Sequence, residues 1–446
     1  MKQKVFLIHG WSVQETTTYQ AFHTKLAENG FDLQEVYLGR YVSLEDDIEI
    51  RDIAKALHRA LHKKLSGDWG QPFHIVTHST GALIAKQWIV HHYKGRFAEK
   101  KPLKNIVFLA GPHFGSRLAH HGRSMMAQAR YRGETGQKVL EALELGSAFS
   151  WQINEAWLDP ANWKKKGIRP FNLIGDKVRN DRFKSRIFPA GYEQGSDMVV
   201  RVPAGNSNFK LFSLSAGKKK LNPVGSIEGV PFAALKDFTH SGDDLGIMNS
   251  ITSNSTPHTH LGLKLILQCL RVRTKGGYQS AYGALAGETR RTRRVRPGFA
   301  QLDFRFRDDQ GEPIEDYVFK LGAIKNGREV PSRTVAHIHK NKNDPGHFTV
   351  FINLKKLEPK LVYFIEFDAD SGSDLFQYKP DPFRATVSPH GITEIITEDQ
   401  TTQLDVTLSR EPSENLFVFH HGDDPNLHVR WNRAGKVTSR KPLKYK

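Results

Sequence analysis

The segment Phe73-His74-Ile75-Val76-Thr77-His78-Ser79-Thr80-Gly81-Ala82-Leu83-Ile84-Ala85 restricts the fold of this chain more than any other. Phe73 to Thr77 has the apolar, β-branched character of a buried strand, and the residues from Gly81 to His92 predict a helix. Only a five-residue turn centred on Ser79 separates the two. A strand can pass into a helix so abruptly only if the neighbouring residues are small and one of them accepts an unusual backbone conformation. Such a turn holds a serine hydroxyl clear of the sheet and brings the first amides of the helix beside it, an arrangement suited to a nucleophile and a developing oxyanion. Ser79 alone would serve equally well as a helix N-cap, so the remainder of the chain has to discriminate.

The first 275 residues repeat the strand–helix alternation. Val5 to His9, Leu33 to Tyr37, Asn105 to Leu109, Phe171 to Ile174 and Phe209 to Leu214 read as further core strands, and Glu49 to Leu65 as a helix. This order predicts an α/β domain on a mostly parallel sheet over residues 1–275. Residues 276–298 combine Gly, Ala and Ser with the run Arg290-Arg291-Thr292-Arg293-Arg294-Val295-Arg296 and show little apolar periodicity, which predicts a basic linker. From Phe299 the pattern changes to short alternating strands, such as Ala300 to Phe306 and His347 to Ile352, separated by Asp, Gly, Pro and Asn turns. Residues 299–410 are therefore expected to form a β-sandwich-like domain, followed by a basic C-terminal extension over 411–446.

Composition narrows the function classes. With 446 residues and 38% hydrophobic side chains the chain can core two domains, which excludes disorder as a whole-chain description. No stretch approaches the roughly 18 consecutive apolar residues of a membrane-spanning helix. The apolar run after Met1 is too short for a signal peptide, so synthesis in the cytoplasm without a cleavable signal is expected. The single cysteine, Cys269, excludes an internal disulfide and any multi-cysteine metal site. The net charge of +18 is concentrated in residues 1–275, which hold 39 basic and 24 acidic side chains. A field of this kind favours anionic surfaces. Nucleic acid is not the expected partner, since no groove-reading motif, zinc spacing or RNA-binding signature accompanies the charge.

The turn around Ser79 resembles the G-x-S-x-G elbow of the α/β-hydrolase superfamily, with Thr77 in place of the first glycine. Ile8-His9-Gly10-Trp11 is similar to the H-G-x motif of lipases in that superfamily. Phe108-Leu109-Ala110-Gly111-Pro112-His113-Phe114-Gly115-Ser116 resembles their P-H-x-G-S segment, in which His113 reads as structural. The likeness is to serine lipases and phospholipases, including the lecithin–cholesterol acyltransferase-like and inositol-deacylase-like branches, and more loosely to bacterial effectors delivered by type VI secretion. It implies an α/β-hydrolase fold with a helical lid insertion at about 117–168, a Ser-His-Asp triad and an acyl-enzyme. The implied oxyanion donors are the backbone amides of Trp11 and Thr80, with His9, Gly10 and His78 against the substrate. The implied substrate is a lipid or phospholipid at a membrane surface. No cofactor is implied beyond the calcium ion of some lipases, for which no ligand cluster is evident. An effector would also need secretion machinery and a chaperone or immunity partner.

The superfamily order of serine, acid and histidine leaves choices open. Asp197, in Gly195-Ser196-Asp197-Met198-Val199, resembles the G-x-D-x-V segment that carries the acid, and Asp176 competes from the end of the strand Phe171 to Gly175. For the base, His240 in His240-Ser241-Gly242 is preferred, with His258 and His260 as alternatives just before a final helix expected at Leu261 to Val272. The apolar residues of the insertion, Met125, Met126, Leu140, Trp151, Trp157 and Trp163 among them, suit either a lid or a pair of core-covering helices. Lys164 to Lys166, with Arg179, Arg182, Lys184 and Arg186, would supply a basic rim to the site. The competing reading of the whole chain is an inactive binding or adaptor protein that keeps the hydrolase scaffold.

Overall fold

The computed structural model describes residues 2–10, 19–36, 45–65, 70–122, 136–177, 193–215, 221–358, 360–380, 382–387, 394–413, 416, 427–431 and 437–442. The first part of the chain holds β1 (Gln3–Ile8), α1 (Gln20–Glu28), β2 (Phe31–Val36), α2 (Ile50–Leu65), β3 (Phe73–His78), α3 (Gly81–His91), α4 (Gly95–Glu99) and β4 (Leu103–Leu109). It continues with α5 (Arg117–Gly122), α6 (Gln137–Leu143), α7 (Ala148–Leu158), β5 (Arg169–Gly175), β6 (Phe209–Ser215), β7 (Asn222–Ile227), β8 (Phe232–Leu235), α8 (Leu261–Leu270) and α9 (Lys275–Arg293).

Six of these strands form one sheet in the order β2-β1-β3-β4-β5-β8, and every pairing in it is parallel. Both faces of the sheet are covered, which is why its central strands are almost continuously apolar and β3 is buried at every position. Alternate side chains divide between two cores. Phe6, Ile8, Phe73, Ile75, Ile106 and Phe108 pack under α2, α3 and α7, whereas Val5, Leu7, Val76, Val107 and Leu109 pack under α1, α8 and α9.

The second part forms a β-sandwich. Its strands are β9 (Phe299–Asp308), β10 (Tyr317–Lys325), β11 (Arg328–Pro331), β12 (Val335–Lys340), β13 (His347–Asn353), β14 (Val362–Ala369), β15 (Phe376–Lys379), β16 (Phe383–Val387) and β17 (Thr401–Pro412). The outer sheet has the order β11-β10-β14-β16. The inner sheet runs β12-β13-β9-β17-β6-β7, with β15 also paired to β17. Ala300, Leu302, Phe304 and Phe306 point from β9 into the sandwich core with Tyr317, Ile365 and Phe367. The alternate residues Gln301, Asp303 and Arg305 face the hydrolase-like part, as the period of two requires. Arg305 lies over the Trp151 ring at 4.6 Å and reaches Glu155 of α7 at 2.7 Å.

Three expectations change and one open alternative is decided. Phe209–Ser215 is a strand, but it belongs to the inner sheet of the sandwich, parallel to β17 over Thr401 to Thr407. The last strand of the parallel sheet is instead the short β8, whose four residues carry too little pattern to stand out. The segment 276–298 is not a linker: α9 spans most of it and buries Ala281, Leu285 and Thr292. Thr292 Oγ1 donates to the Ala234 carbonyl at 2.7 Å and Thr289 Oγ1 accepts from the Ala234 amide at 3.1 Å, so α9 satisfies the open edge of β8. Of the two readings of the insertion, lid or core-covering helices, its described residues 136–168 fit the second. Trp151 and Trp157 are fully buried there, and Leu145 O, Gly146 O and the Ala148 amide bond to Asn341, His347 and Asp344 of the sandwich. Met125 and Met126 lie outside the described residues. Finally, the basic extension contains a hairpin of β18 (Leu427–Trp431) and β19 (Val437–Pro442). No helix among the described residues is long and apolar enough to cross a membrane.

Candidate active site

Ser79 follows β3 directly and adopts φ +54°, a left-handed conformation uncommon outside glycine and characteristic of a strained functional turn. Its amide donates to the Leu109 carbonyl at 3.0 Å and its carbonyl accepts from Ala82, so both sides of the turn are anchored. Two glycines make the turn sterically feasible. A Cβ on Gly81 would lie 2.4 Å from the Ile8 carbonyl oxygen, and one on Gly10 would lie 2.7 Å from the Ser79 Cβ. The end of β1 therefore presses on the elbow. Thr77, at the position of the motif's first glycine, is accommodated as a fully buried residue. Thr80 opens α3 and is also buried, with the positive end of the helix dipole at its amide. Trp11 lies outside the described residues.

His240 Nδ1 is 2.9 Å from Asp197 Oδ2. The two are also joined through the backbone, where the His240 amide donates to the Asp197 carbonyl at 2.8 Å. Asp197 is fully buried, and its other carboxylate oxygen accepts from the Val199 and Val200 amides at 2.9 and 2.7 Å. The carboxylate thus takes two backbone amides on one oxygen and the His240 ring on the other. A ring whose Nδ1 donates to Asp197 presents Nε2 as a base.

Asp176 is placed differently. It lies at the end of β5 and binds Arg293 Nη1 at 2.6 Å, while Arg293 Nε holds Asp399 of the sandwich at 2.8 Å. Burial raises the Asp176 carboxyl against the pull of Arg293, and burial likewise pushes Asp399 up to about 6. Asp176 is therefore a structural partner of α9, its carboxylate bonded to Arg293, whereas the carboxylate bonded to His240 is that of Asp197. His258 is exposed. His260 caps α8, with Nδ1 accepting from the Leu263 amide at 3.1 Å and Nε2 on Ser250 Oγ at 3.0 Å, so both ring nitrogens are engaged.

The three residues expected against substrate are all buried. His9 stacks on Tyr19 with ring centroids 5.1 Å apart, and burial pushes its pKa down to about 4. Gly10 lies against Ser79. His78 faces the base: its Nε2 donates to the His240 carbonyl at 3.0 Å, and burial holds its pKa at about 3. His78 thus supports the His240 loop from behind, in a place where the sequence reading put a substrate contact. His113 is fully buried and bonds Asn172 Oδ1 at 2.9 Å, in keeping with a structural role.

The expected basic rim does not form over its described part. Lys166 Nζ donates to the Ile89 carbonyl near the C-terminal end of α3, the end remote from Ser79. Arg179, Arg182, Lys184 and Arg186 lie outside the described residues. Sequence reasoning also missed Glu193 and Arg201, the charged pair that flanks Asp197. Nothing local distinguishes them from surface charges. Among the described residues no group of three or more His, Cys, Asp or Glu is arranged to hold a metal ion.

An all-parallel sheet, a serine elbow after its central strand and a carboxylate-bound histidine after its last strand define this chain as an α/β-hydrolase. No family profile matches the sequence, and no curated protein does either. Solved structures do. Phospholipase PlaB from Legionella pneumophila superposes with a TM-score of 0.83 at 28% identity, covering 99% of this chain and 99% of that one. The same protein in complex with thio-NAD gives 0.82 at 28% identity, covering 99% and 100%. The mature lipase BlEst2 from Bacillus licheniformis overlaps over 46% of this chain and 79% of its own, at 18% identity and a TM-score of 0.35. The chain is a carboxylic ester hydrolase with the α/β-hydrolase fold.

Proposed function

We propose that this protein hydrolyses acyl esters of phospholipids through a Ser79-His240-Asp197 triad. The observation that carries this reading is the 2.9 Å bond from His240 Nδ1 to the buried Asp197 carboxylate, in a chain that has the Ser79 elbow and aligns along its whole length with a phospholipase. Ser79 Oγ attacks the acyl carbonyl carbon while His240 Nε2 takes the hydroxyl proton. Asp197 keeps the other ring nitrogen protonated and stabilises the imidazolium that forms. The carbonyl oxygen becomes an oxyanion held by the Thr80 amide at the start of α3 and by the amide of Trp11. Collapse of this intermediate breaks the ester C–O bond, and His240 returns the proton to the departing lysophospholipid alkoxide. Water, deprotonated by His240, then attacks the acyl-enzyme, releases a fatty acid and restores Ser79. The steps use this chain's own groups and water. The positive charge of residues 1–275 would concentrate the enzyme on anionic lipid surfaces.

The test is hydrolysis of short p-nitrophenyl esters and of phosphatidylglycerol and phosphatidylcholine vesicles by the wild type and Ser79→Ala. The expected result is release of fatty acid by the wild type, a loss on the order of 10⁶-fold in kcat for the variant, and fluorophosphonate labelling of the wild type alone. A folded wild type that cleaves none of these and resists the probe would overturn the reading.

A further inference from the structure

Asp197 sits at the tip of a tight hairpin in the hydrolase part, and the sandwich supports that hairpin. The Val202 amide donates to the Gly195 carbonyl at 2.8 Å, Ser196 and Arg201 form an antiparallel bridge, and the Asp197 amide donates to the Val200 carbonyl at 3.1 Å. Met198, in the turn, has φ +84°. A loop this strained keeps its shape only if its surroundings over-determine it.

Those surroundings come from β9, β12 and β13. The Phe299 and Phe351 rings stack at 4.6 Å and 7° to make a flat aromatic seat. Gly195 lies directly on it: with φ +72°, its backbone approaches so closely that a Cβ would stand 2.2 Å from the Phe299 ring. Arg201, only 1% exposed, lies over the Phe351 ring at 4.2 Å. Its Nε and Nη2 donate to both oxygens of Glu193 at 2.8 and 3.0 Å, and Nη2 also donates to His337 Nδ1 at 3.1 Å. Glu193 is held from the hydrolase side by Arg117 at 3.1 Å. The planar, bidentate pair thus ties the two ends of the hairpin together and presses them onto the sandwich.

We infer that Arg201, seated on Phe351 and His337 of the sandwich, is a positioning residue that holds Asp197 on His240, so that the β-sandwich is part of the working active site. This rests on Asp197 being the triad acid. The role needs the flat guanidinium, which stacks and forks at once; an ammonium at the same place does neither.

The experiment measures kcat and KM of the full-length enzyme on p-nitrophenyl butyrate for Arg201→Lys, Phe351→Leu and Glu193→Gln, each alone and combined with Asp197→Ala. Thermal unfolding of every variant runs in parallel. Arg201→Lys is expected to lower kcat about 10- to 100-fold, with KM within twofold and cooperative unfolding retained. In the Asp197→Ala background the same change should alter the residual rate by less than twofold, because a residue acting through Asp197 has nothing left to act on. Phe351→Leu keeps an apolar seat without a ring face, so it reports on the stacking should Arg201→Lys fail to fold. Full activity in folded Arg201→Lys and Phe351→Leu, or an equal loss with and without Asp197, overturns the proposal. An Asp197→Ala enzyme as active as the wild type would instead overturn the assignment of the acid.

Discussion

A methyl group at residue 10 would stand 2.7 Å from the Ser79 Cβ, and one at residue 81 would stand 2.4 Å from the Ile8 carbonyl oxygen. Neither position can yield without moving the end of β1 or the serine turn. Gly10→Ala is therefore expected to lower kcat by about tenfold or more while leaving the global fold intact, since misplacing a reacting group by a fraction of an ångström is costly to rate. The two aspartates differ in kind. Asp197→Asn keeps an acceptor for the Val199 and Val200 amides but loses the charge that orients the His240 ring, so a drop on the order of 10⁴ in kcat is expected with little change in thermal stability. Asp176→Asn removes one of two buried carboxylates from Arg293. It should keep kcat within tenfold and lower stability by about 1–3 kcal/mol; paired kinetics and thermal melts separate the two outcomes. Ser79 was legible because an elbow is a local steric requirement written in adjacent residues. His78, by contrast, looks like a site residue by its place in the sequence, and only the neighbouring His240 carbonyl reveals it as support.

At the scale of single elements, α9 is the instructive one. Gly276, Gly277, Gly283 and Gly287 depress its intrinsic helical signal, and the arginine run suggests a solvated segment, so a linker is the natural expectation from sequence. Its stability comes from tertiary contacts: Leu285 and Ala281 enter the core with α8, and Thr289 and Thr292 complete the backbone bonding of β8. Leu285→Ala should accordingly cost about 2–5 kcal/mol in chemical denaturation. A linker would show no effect, so this one variant decides between the two descriptions. The strand β6 teaches the complementary lesson. Its apolar alternation identifies a strand, but periodicity carries no address, and the sheet it joins is decided by β17, nearly 190 residues away in sequence.

The whole molecule is held together across an interface that buries charge. Asp303, on the face of β9 turned towards the hydrolase part, is fully buried, accepts from Thr349 Oγ1 at 2.9 Å and Gln301 Nε2 at 3.1 Å, and is pushed by burial up to about 7. The folded state therefore keeps a proton that the unfolded chain releases near pH 4. Stability contributed at low pH is lost as pH rises from about 4 through about 7, because over that window the folded state binds more protons than the unfolded one. Asp303→Asn removes this dependence while keeping an acceptor for Thr349. Its melting temperature relative to the wild type is expected to rise between about pH 4 and about pH 7 and then level off, and a difference independent of pH would contradict the assignment. The interleaving of β6 and β7 with β9 and β17 also means that the two parts are not separable units. A chain ending at residue 298 would leave β6 paired only with β7 and the Asp197 hairpin without its seat. Such a truncation is expected to be insoluble or non-cooperative in unfolding.

Contiguous residues were enough to announce the parallel α/β core, the serine elbow with its glycines, and the change to β-structure after Phe299, because these depend on side-chain period and on steric demands within a few residues. They also brought Asp197 and His240 forward as candidates. Which carboxylate meets the histidine, which sheet takes β6, whether 276–298 is a helix, and how the sandwich is joined to the Asp197 hairpin all depend on partners many tens of residues apart. Their energies come from burial and from pairing between groups that are ordinary in sequence, such as Glu193, Arg201 and Arg293. Only the folded chain brings those groups within bonding distance, so only the tertiary structure could decide them.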